Sequence, residues 1–429
     1  MFLRGFLAHR VLSSHLPRRW RSCGLLGLPN VGKSTLFNAL VRQELAYCAN
    51  FPFATINPQS AKARVPDARL AALSVLNASQ SVVPAHVEVV DIAGIIEGAS
   101  KGAGLGNAFL GNVRETAAIL HVVRCFEGGG GSGEDVLHVL SSVDPLRDIA
   151  IIENELILAD LQSVEKRLAS MRSKRGAADA AVVARLLEAA EGALEGGLPA
   201  SSVEASLAPG DRLPWSRLGL LTQKPIMIVC NVGEADVQAG GNEMTRAVAQ
   251  AMSARSALGA GEAAGCRRGS SAVTVVCGKL ESELSQLEDS ERAAYLAEYG
   301  LAESGLDGLL RDLARLLAMH VFHTSGPSES RAWQIPVGAT AQVAAGAIHS
   351  DLASRFIKAE VTSFEDYIAA GGEDGAKAAA KTRAEGKDYV VQGESVPWGA
   401  GYEGGGAAAR LPSPAVSATK LAPRSHHRW

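Results

Sequence analysis

Short apolar runs recur along the first 280 residues and are separated by longer mixed segments. Five of these runs have the length and composition of buried strands, at residues 23–27, 87–90, 119–123, 224–230 and 273–276. The segments between them read as helices and glycine-rich loops. Strands that alternate with helices predict a parallel sheet with helices on both faces, so we predict an α/β fold.

A helical pattern interrupts this sheet over residues 146–215. Between Ile149 and Leu168 apolar residues recur at helical spacing with charged residues among them, and a second apolar run follows at 181–187. Such spacing is typical of amphipathic helices. We predict a helical hairpin inserted between two parts of the α/β domain, 22–145 and 216–318. The hairpin is interpreted either as a lid on the sheet or as an arm that binds a partner.

The pattern changes again near residue 319. Strand-like segments at 332–336, 356–361 and 388–392 are separated by glycine-rich turns, which predicts a small α+β module over 319–393. Residues 394–429 are rich in Gly, Ala and Pro and have no core-forming pattern. They are predicted to be disordered, or to result from a gene-model error, and the sheet of the module is then expected to have an exposed edge.

Composition narrows the classes of partner. The 429 residues carry a formal net charge of −3, with 47% hydrophobic and 20% charged residues. This describes a globular protein without an overall nucleic-acid signature, and we expect no DNA partner. The six cysteines lack C-x-x-C spacing, so reduced thiols are expected rather than disulfides or a metal site. No apolar stretch reaches the length of a membrane span, and no membrane partner is expected.

The N-terminus has a composition of its own. Residues 1–21 contain several arginines and serines, and the first acidic residue is Glu44. This is typical of an organellar transit peptide, and we favour the mitochondrion over the plastid. The alternatives are a solvated basic tail or a misassigned start codon, and the expected location is then cytoplasmic.

Residues 27–34 read GLPNVGKS and fit G-x-x-x-x-G-K-[ST], the phosphate-binding loop of nucleotide hydrolases. A strand-like run precedes the loop and a helical pattern follows it, which presents a helix N-terminus to phosphates. Lys33, also a predicted catalytic residue, adds a cation for the β- and γ-phosphates, and the Ser34 hydroxyl can ligate Mg²⁺. The predicted nucleotide-binding residues of this loop are Asn30, Val31, Gly32, Lys33, Ser34 and Thr35.

Two further segments predict a switch that senses the γ-phosphate. Asp91-Ile-Ala-Gly94 follows a predicted strand and fits D-x-x-G, in which the carboxylate supports Mg²⁺ and the Gly94 N–H meets the γ-phosphate. Thr55 lies in the intervening loop and is predicted to ligate Mg²⁺ when a γ-phosphate is present. A segment ordered only by that contact is a switch. Mg²⁺ is therefore the predicted cofactor, held by Ser34, Thr55 and Asp91.

Together these motifs resemble the YchF/Obg-like ATPase family of P-loop proteins related to translation factors. The segments that carry the resemblance are 27–35, 50–55, 90–94, 98–107, 122–126, 144–148, 155–161, 326–333, 345–349 and 386–391. The resemblance implies a P-loop NTPase G domain, an inserted coiled-coil hairpin and a C-terminal TGS domain of the β-grasp type. It also implies the ribosome as a partner, and we expect a monomer.

The base-recognition segment departs from that of ordinary GTPases. They carry N-K-x-D, whose aspartate accepts two hydrogen bonds from guanine, whereas this chain has Asn231-Val-Gly-Glu234. Val232 replaces the lysine and Glu234 is one methylene longer, which weakens a guanine clamp. The resemblance implies a preference for ATP over GTP. We take Asn231, Val232 and Phe126 as candidate adenine contacts, with a core position as the equal alternative for Phe126. Glu234 is also a predicted nucleotide-binding residue.

The residue that would position the attacking water also departs from the common GTPase pattern. Ile95 occupies the place where many GTPases have a glutamine that positions water, and an aliphatic side chain cannot do so. The resemblance implies that a loop histidine serves instead, and His138 is the matching, predicted catalytic residue. Asn30 is a candidate ligand for K⁺. The loop that reads Ser-Ala-Lys in the family corresponds to Cys277-Gly-Lys279.

The sequence thus predicts an Mg²⁺-dependent switch NTPase that prefers ATP to GTP and acts at the ribosome. One alternative is a GTP-specific switch. The other is a scaffold that binds nucleotide and hydrolyses it weakly, which Ile95 and the glycine-rich insertion at 128–133 motivate.

Overall fold

The computed structural model describes residues 21–48, 60–92, 105–127, 142–172, 178–257, 273–392 and 395–402. They fall into two units. The first unit contains the chain up to Pro66 together with Pro84–Met319, and the second contains Asp67–Val83 together with the chain from His320 onward. The predicted presequence lies outside the described residues except for Arg21.

Strands are interspersed with helices along the chain up to residue 316. The elements before the helical insertion are β1 Ser22–Leu26, α1 Lys33–Cys48, β2 Ser60–Arg64, α2 Ala68–Leu76, β3 Ser81–Val83, β4 His86–Asp91, α3 Leu105–Glu115 and β5 Ala118–Arg124. Those that follow are α4 Pro145–Arg172, α5 Ala178–Glu195, α6 Arg212–Ser216, β6 Ile226–Asn231, α7 Glu243–Ala257, β7 Val273–Val276, α8 Gly278–Leu284, α9 Asp289–Glu298 and α10 Gly305–Leu316.

The first unit is built on a six-stranded sheet of order β2-β4-β1-β5-β6-β7. All neighbours pair in parallel except β2, which runs antiparallel to β4. Every residue of β1 and β5 is buried, as expected of central strands covered on both faces. The five predicted strands are confirmed as β1, β4, β5, β6 and β7. Because parallel strands end at one edge, the loops after them gather there.

The predicted helical insertion is confirmed by α4 and α5, which pack against each other around a shared apolar cluster. Leu168 on α4 and Leu187 on α5 belong to that cluster, as does Trp215 of α6. Asp160, fully buried on α4, accepts hydrogen bonds from the backbone N–H groups of Leu221 (2.9 Å) and Thr222 (2.8 Å). This carboxylate therefore ties the insertion to the segment that leads back into β6.

The second unit contains the remaining elements. They are β8 Met319–Ser325, β9 Glu329–Pro336, α11 Ala341–Ile348, α12 Ser350–Ser354, β10 Phe356–Ser363, α13 Phe364–Ala369, α14 Glu373–Ala378, β11 Arg383–Glu385 and β12 Ser395–Tyr402. Two three-stranded sheets, β3-β9-β8 and β11-β10-β12, build it. Its core includes Phe322, Ile335 and Phe356.

The sequence-based boundary at 22–145 was wrong for residues 67–83. These residues form α2 and β3, and β3 pairs in parallel with β9, with Ser81 opposite Glu329. Asp67 caps α2 by accepting from the N–H of Arg69 at 3.0 Å, and its other carboxylate oxygen lies 2.6 Å from Nε2 of His323 on β8. Strand pairing and this buried pair assign the segment to the second unit.

The predicted disorder from residue 394 was wrong for β12. This strand runs antiparallel to β10, with Ser395 opposite Ser363 and Tyr402 opposite Phe356. The expected exposed edge beside β10 is therefore covered. Backbone pairing does not need the apolar side chains whose absence suggested disorder. Conversely, the predicted strand at 388–392 contributes only an isolated bridge between Thr340 and Val390, and residues 403–429 lie outside the described residues.

The expectation of reduced, buried thiols is confirmed for four cysteines. Cys23, Cys125, Cys230 and Cys277 are free and buried. The side chains of the other two cysteines lie outside the described residues.

The pair Asp67–His323 predicts a pH-dependent stability. Burial raises the pKa of Asp67, but the hydrogen bond and charge of His323, with help from Arg69, outweigh it and lower the pKa to about 2 from 3.8. The stabilisation is therefore complete above pH 4 and lost as the pH falls towards 2. We expect Asp67→Asn to lower the free energy of unfolding by about 2 kcal/mol at pH 6. Urea unfolding should show this difference shrinking at pH 3.

The matched control is Asp351→Asn, since Asp351 also faces a histidine, His349, but both side chains are more than half exposed. That variant should change stability little, because exposed ion pairs contribute at most about 1 kcal/mol. An Asp67→Asn effect that stayed constant between pH 6 and pH 3 would contradict the assignment.

Candidate functional site

The loop between β1 and α1 has the backbone that the phosphate-binding motif requires. Gly27 and Gly32 have φ angles of 155° and 98°, and Asn30 lies in the left-handed region at 62°. A Cβ atom at Gly27 would lie 2.4 Å from the carbonyl oxygen of Val122, and one at Gly32 would lie 2.1 Å from Nδ2 of Asn231. Only glycine fits both positions. The predicted order of strand, loop and helix is confirmed.

Lys33 folds back over this loop. Its Nζ donates to the carbonyl oxygens of Gly27 (2.9 Å) and Leu28 (2.7 Å). Burial lowers the pKa of Lys33 to about 8, and the charge of Asp91 opposes that shift. Two carbonyl bonds thus hold the ammonium where a phosphate would replace them.

The other predicted loop residues differ in what they present. Asn30, Ser34 and Thr35 are exposed, so their side chains are accessible to a ligand. The Val31 side chain is 1% exposed and belongs to the core. Val31 can therefore meet a phosphate only through its backbone.

Asp91 ends β4 directly beside β1, with Leu25 opposite it in the parallel register. Its carboxyl is half-buried; burial raises its pKa and the charge of Lys33 opposes that shift. The sheet thus brings Asp91, Lys33 and Ser34 to one edge, as the motifs predict. A hydroxyl and a carboxylate are oxygen ligands of the kind that Mg²⁺ takes, so the described residues fit this ion. Thr55, Gly94 and His138 lie outside the described residues, and their roles stay predictions.

Asn231 joins the phosphate-binding loop to the start of α8. Its Nδ2 donates to the carbonyl oxygen of Val31 at 2.9 Å, and its Oδ1 accepts from the N–H of Gly278 at 2.8 Å. The side chain is 4% exposed. Its amide therefore holds these two segments together, and its predicted contact with adenine stays a prediction.

The side chain of Val232 belongs to the core. Its contact with adenine stays a prediction, and only its backbone could make that contact. Val232 is 2% exposed and packs in an apolar cluster with Cys125, Val248 and Cys277. Its backbone N–H donates to Val276 on β7 at 2.9 Å. A valine in this position lies inside the sheet core because β6 and β7 continue their pairing there.

Phe126 is half-buried and stacks on a charged group. The guanidinium carbon of Arg124 lies 4.4 Å from the centre of the Phe126 ring, and Arg124 Nε donates to the Phe126 carbonyl oxygen at 3.1 Å. Burial lowers the pKa of Arg124. Sequence reasoning missed Arg124, although a charged residue at the end of an apolar run was a signal. The cation–π pair fixes the orientation of the Phe126 ring beside the Asn231–Glu234 motif.

Glu234, which ends the Asn231–Glu234 motif, is paired with Lys279. Lys279 Nζ lies 3.1 Å from Oε1 and 3.2 Å from Oε2 of Glu234. Asn242 supports the same region by donating to the carbonyl oxygen of Cys125 (2.6 Å) and to Asp236 (2.9 Å). The loop at 277–279 therefore contacts both ends of the Asn231–Glu234 motif.

Two buried polar residues near the site were not foreseen from the sequence. His121 on β5 has no hydrogen-bond partner for Nε2 among the described residues, and burial with the charge of Lys33 lowers its pKa to about 3. It therefore adds no charge beside the loop. Glu281 on α8 accepts from the N–H of Gly305, at the start of α10, at 2.7 Å. Burial raises the pKa of Glu281 to about 7 against the effect of that hydrogen bond.

Comparison with known proteins agrees with this geometry. The ribosome-binding ATPase YchF of Bacillus subtilis (strain 168) is 44% identical over 374 residues, which cover 86% of this chain and 96% of the relative. The chain belongs to the YchF family. The ribosome-binding ATPase YchF of Escherichia coli O157:H7 is 42% identical over 372 residues, with the same coverage.

Two family models and a solved structure agree with this membership of the YchF family. Residues 22–178 match the family described as "50S ribosome-binding GTPase", and residues 319–397 match YchF-GTPase_C, described as "Protein of unknown function (DUF933)". The Schizosaccharomyces pombe YchF GTPase has a TM-score of 0.75 and 30% identity, covering 90% of this chain and 100% of that chain. The predicted α/β fold with a P-loop NTPase domain and a C-terminal module is confirmed.

Neither a membrane span nor a metal-binding cluster occurs among the described residues. None of their helices combines the length and apolar character needed to cross a bilayer. Nor do these residues contain a group of three or more His, Cys, Asp or Glu side chains that could hold a metal ion.

Asn231 provides a test of how the site is held together. Asn231→Ala leaves the Gly278 N–H and the Val31 carbonyl unpaired in a buried position, which costs about 2 kcal/mol. We expect the affinity for a nucleoside diphosphate, measured by titration calorimetry, to fall about tenfold. Asn112→Ala, on the exposed side of α3, is the matched control and should bind normally. Normal binding by Asn231→Ala would show that the loop does not depend on this amide.

Glu281 predicts a pH dependence opposite to that of Asp67. Its pKa is raised from 4.5 to about 7 in the folded protein, so stability is highest below pH 4.5 and declines as the pH rises towards 7. The decline attributable to this group is at most about 3 kcal/mol. Glu281→Gln should remove it, as measured by thermal unfolding between pH 5 and pH 8. Glu298→Gln, at an exposed position of α9, should keep the decline.

Proposed function

We propose that this protein is an Mg²⁺-dependent NTPase that prefers ATP to GTP and acts at the ribosome. The observation that carries the proposal is the base-binding side of the site, where Asn231 is built into the structure and Glu234 is paired with Lys279. The phosphate-binding loop supplies the chemistry common to P-loop NTPases.

The phosphate side of the proposal rests on the loop and its neighbours. Lys33 and the loop N–H groups bind the phosphates, and Ser34 with Asp91 holds Mg²⁺, aided by Thr55. The ion, when bound, neutralises charge on the β- and γ-phosphates. Gly94 senses the γ-phosphate and His138 orients the attacking water. Asn30, exposed in a left-handed conformation, is proposed to ligate K⁺.

The preference for ATP is supported by the chemistry at Glu234. Guanine specificity requires a free carboxylate that accepts from both the N1–H and the 2-amino group. Here the carboxylate is longer than an aspartate and already bonded to an ammonium. A site that does not offer those two bonds discriminates poorly in favour of guanine.

The proposal of the ribosome as a partner is supported by the names of the relatives. The curated YchF proteins are named ribosome-binding, and residues 22–178 match a family described as 50S ribosome-binding. We propose the same partner for this chain, which acts as a monomer. We also propose import into an organelle, with the mitochondrion favoured, on the arginine-rich composition of residues 1–21.

The test is turnover of ATP and GTP by the full chain with Mg²⁺. We expect kcat/KM for ATP to exceed that for GTP by about tenfold, a difference of about 1.4 kcal/mol. Lys33→Ala should lose about a hundredfold or more of the activity because its cation contacts the transferred phosphoryl group. Lys166→Ala, on the exposed face of α4, is the matched control.

The outcomes separate the candidate functions. The S. pombe relative is named a GTPase, and a GTP preference here would support a GTP-specific switch. Tight nucleotide binding without turnover would support the scaffold alternative. Equal rates in K⁺ and Na⁺ would remove Asn30 from the proposal.

A further inference from the structure

In the ion pair of Glu234 and Lys279 the ammonium contacts both oxygens of the carboxylate. The ammonium lies almost equally far from both carboxylate oxygens, at 3.1 Å from Oε1 and 3.2 Å from Oε2. It therefore sits in the fork of the carboxylate. In a guanine-binding site the N1–H and the 2-amino group of the base would donate to that fork.

We propose that Lys279 is a specificity-determining residue, because its ammonium occupies the Glu234 carboxylate in place of the two guanine donors. The inference rests on the proposed function, since it presumes that a purine base binds beside Glu234. It assigns the selection against guanine to a side chain in the first turn of α8, outside the Asn231–Glu234 motif.

The backbone holds Lys279 in this place. The preceding residue, Gly278, donates its N–H to Asn231, and α8, which starts there, packs against α1. Glu234 is held by a turn in which the Asp236 N–H donates to the Gly233 carbonyl oxygen at 3.1 Å. Both partners of the ion pair therefore project from anchored backbone, which lowers the entropy lost when they pair.

The charge of Lys279 acts in opposite directions on the two purines. A free carboxylate facing adenine would repel the lone pair of N1, which is an acceptor, and adenine lacks a 2-amino group. The same carboxylate facing guanine would accept two hydrogen bonds. Neutralising it with Lys279 therefore favours adenine relative to guanine. The side chains are 33% and 45% exposed, and exposed ion pairs are weak, so the effect is a shift in selectivity of several-fold.

The test measures binding of fluorescent ADP and GDP analogues to the full chain, which avoids turnover. Lys279→Met keeps an unbranched side chain one atom shorter and removes its charge. We expect the ratio Kd(GDP)/Kd(ADP) to fall about fivefold in this variant. Lys377→Met is the matched control, since Lys377 is also a half-exposed lysine, paired with Glu373, and it should leave the ratio unchanged.

A double variant identifies the route of the effect. In Lys279→Met with Glu234→Gln, the freed carboxylate is absent, so the fall in the ratio should disappear. An unchanged ratio in Lys279→Met, or an equal fall in the double variant, would overturn the inference. A ratio Kd(GDP)/Kd(ADP) below one in the unsubstituted protein would contradict the proposed ATP preference. The role of Lys279 is tested separately, by the change in that ratio on substitution.

Discussion

The buried amide of Asn231 is the contact on which the candidate site depends. It donates to Val31 in the phosphate-binding loop and accepts from Gly278 at the start of α8. An amide suits this role because one planar group offers both a donor and an acceptor. The same side chain leaves no space for a Cβ at Gly32, so the glycine and the asparagine are required together. The phosphate-binding and base-binding sides are thereby held in one geometry.

Around this amide, the charged groups of the site are bonded to protein partners that a nucleotide can replace. Lys33 donates to two carbonyl oxygens of its own loop, and a phosphate offers it stronger, charged acceptors. Glu234 is bonded to Lys279. Under the proposed function a phosphate gains from replacing the carbonyl partners of Lys33, whereas guanine would have to displace the Lys279 ammonium. The proposal thus assigns binding and selectivity to separate groups within one site.

Sequence reasoning succeeded where the requirement is local in the chain. The loop at 27–34 needs glycines for unusual φ angles, a lysine and a hydroxyl at a helix start, and all of these are readable side by side. The buried strands were predicted for a similar reason, since β5 and β7 consist mainly of apolar residues. It did not foresee the burial of the Val232 side chain or the strand β12. Both depend on neighbours far along the chain, β7 beside Val232 and β10 beside a glycine-containing strand. It also missed the stacking of Arg124 on Phe126, which is local in the chain but depends on how the two side chains are oriented.

By itself, then, the amino-acid sequence determined the α/β class, the phosphate-binding loop and the departure from N-K-x-D at Asn231–Glu234. Only the tertiary structure decided that residues 67–83 belong to the second unit, that Asn231 bonds a loop 200 residues away, and that Lys279 occupies Glu234. The physical reason is the same in each case. A hydrophobic pattern predicts that a segment is buried. It does not predict which segment lies beside it, because hydrogen-bond donors and acceptors are chemically alike along the chain. Their partners are selected by which segments fold side by side.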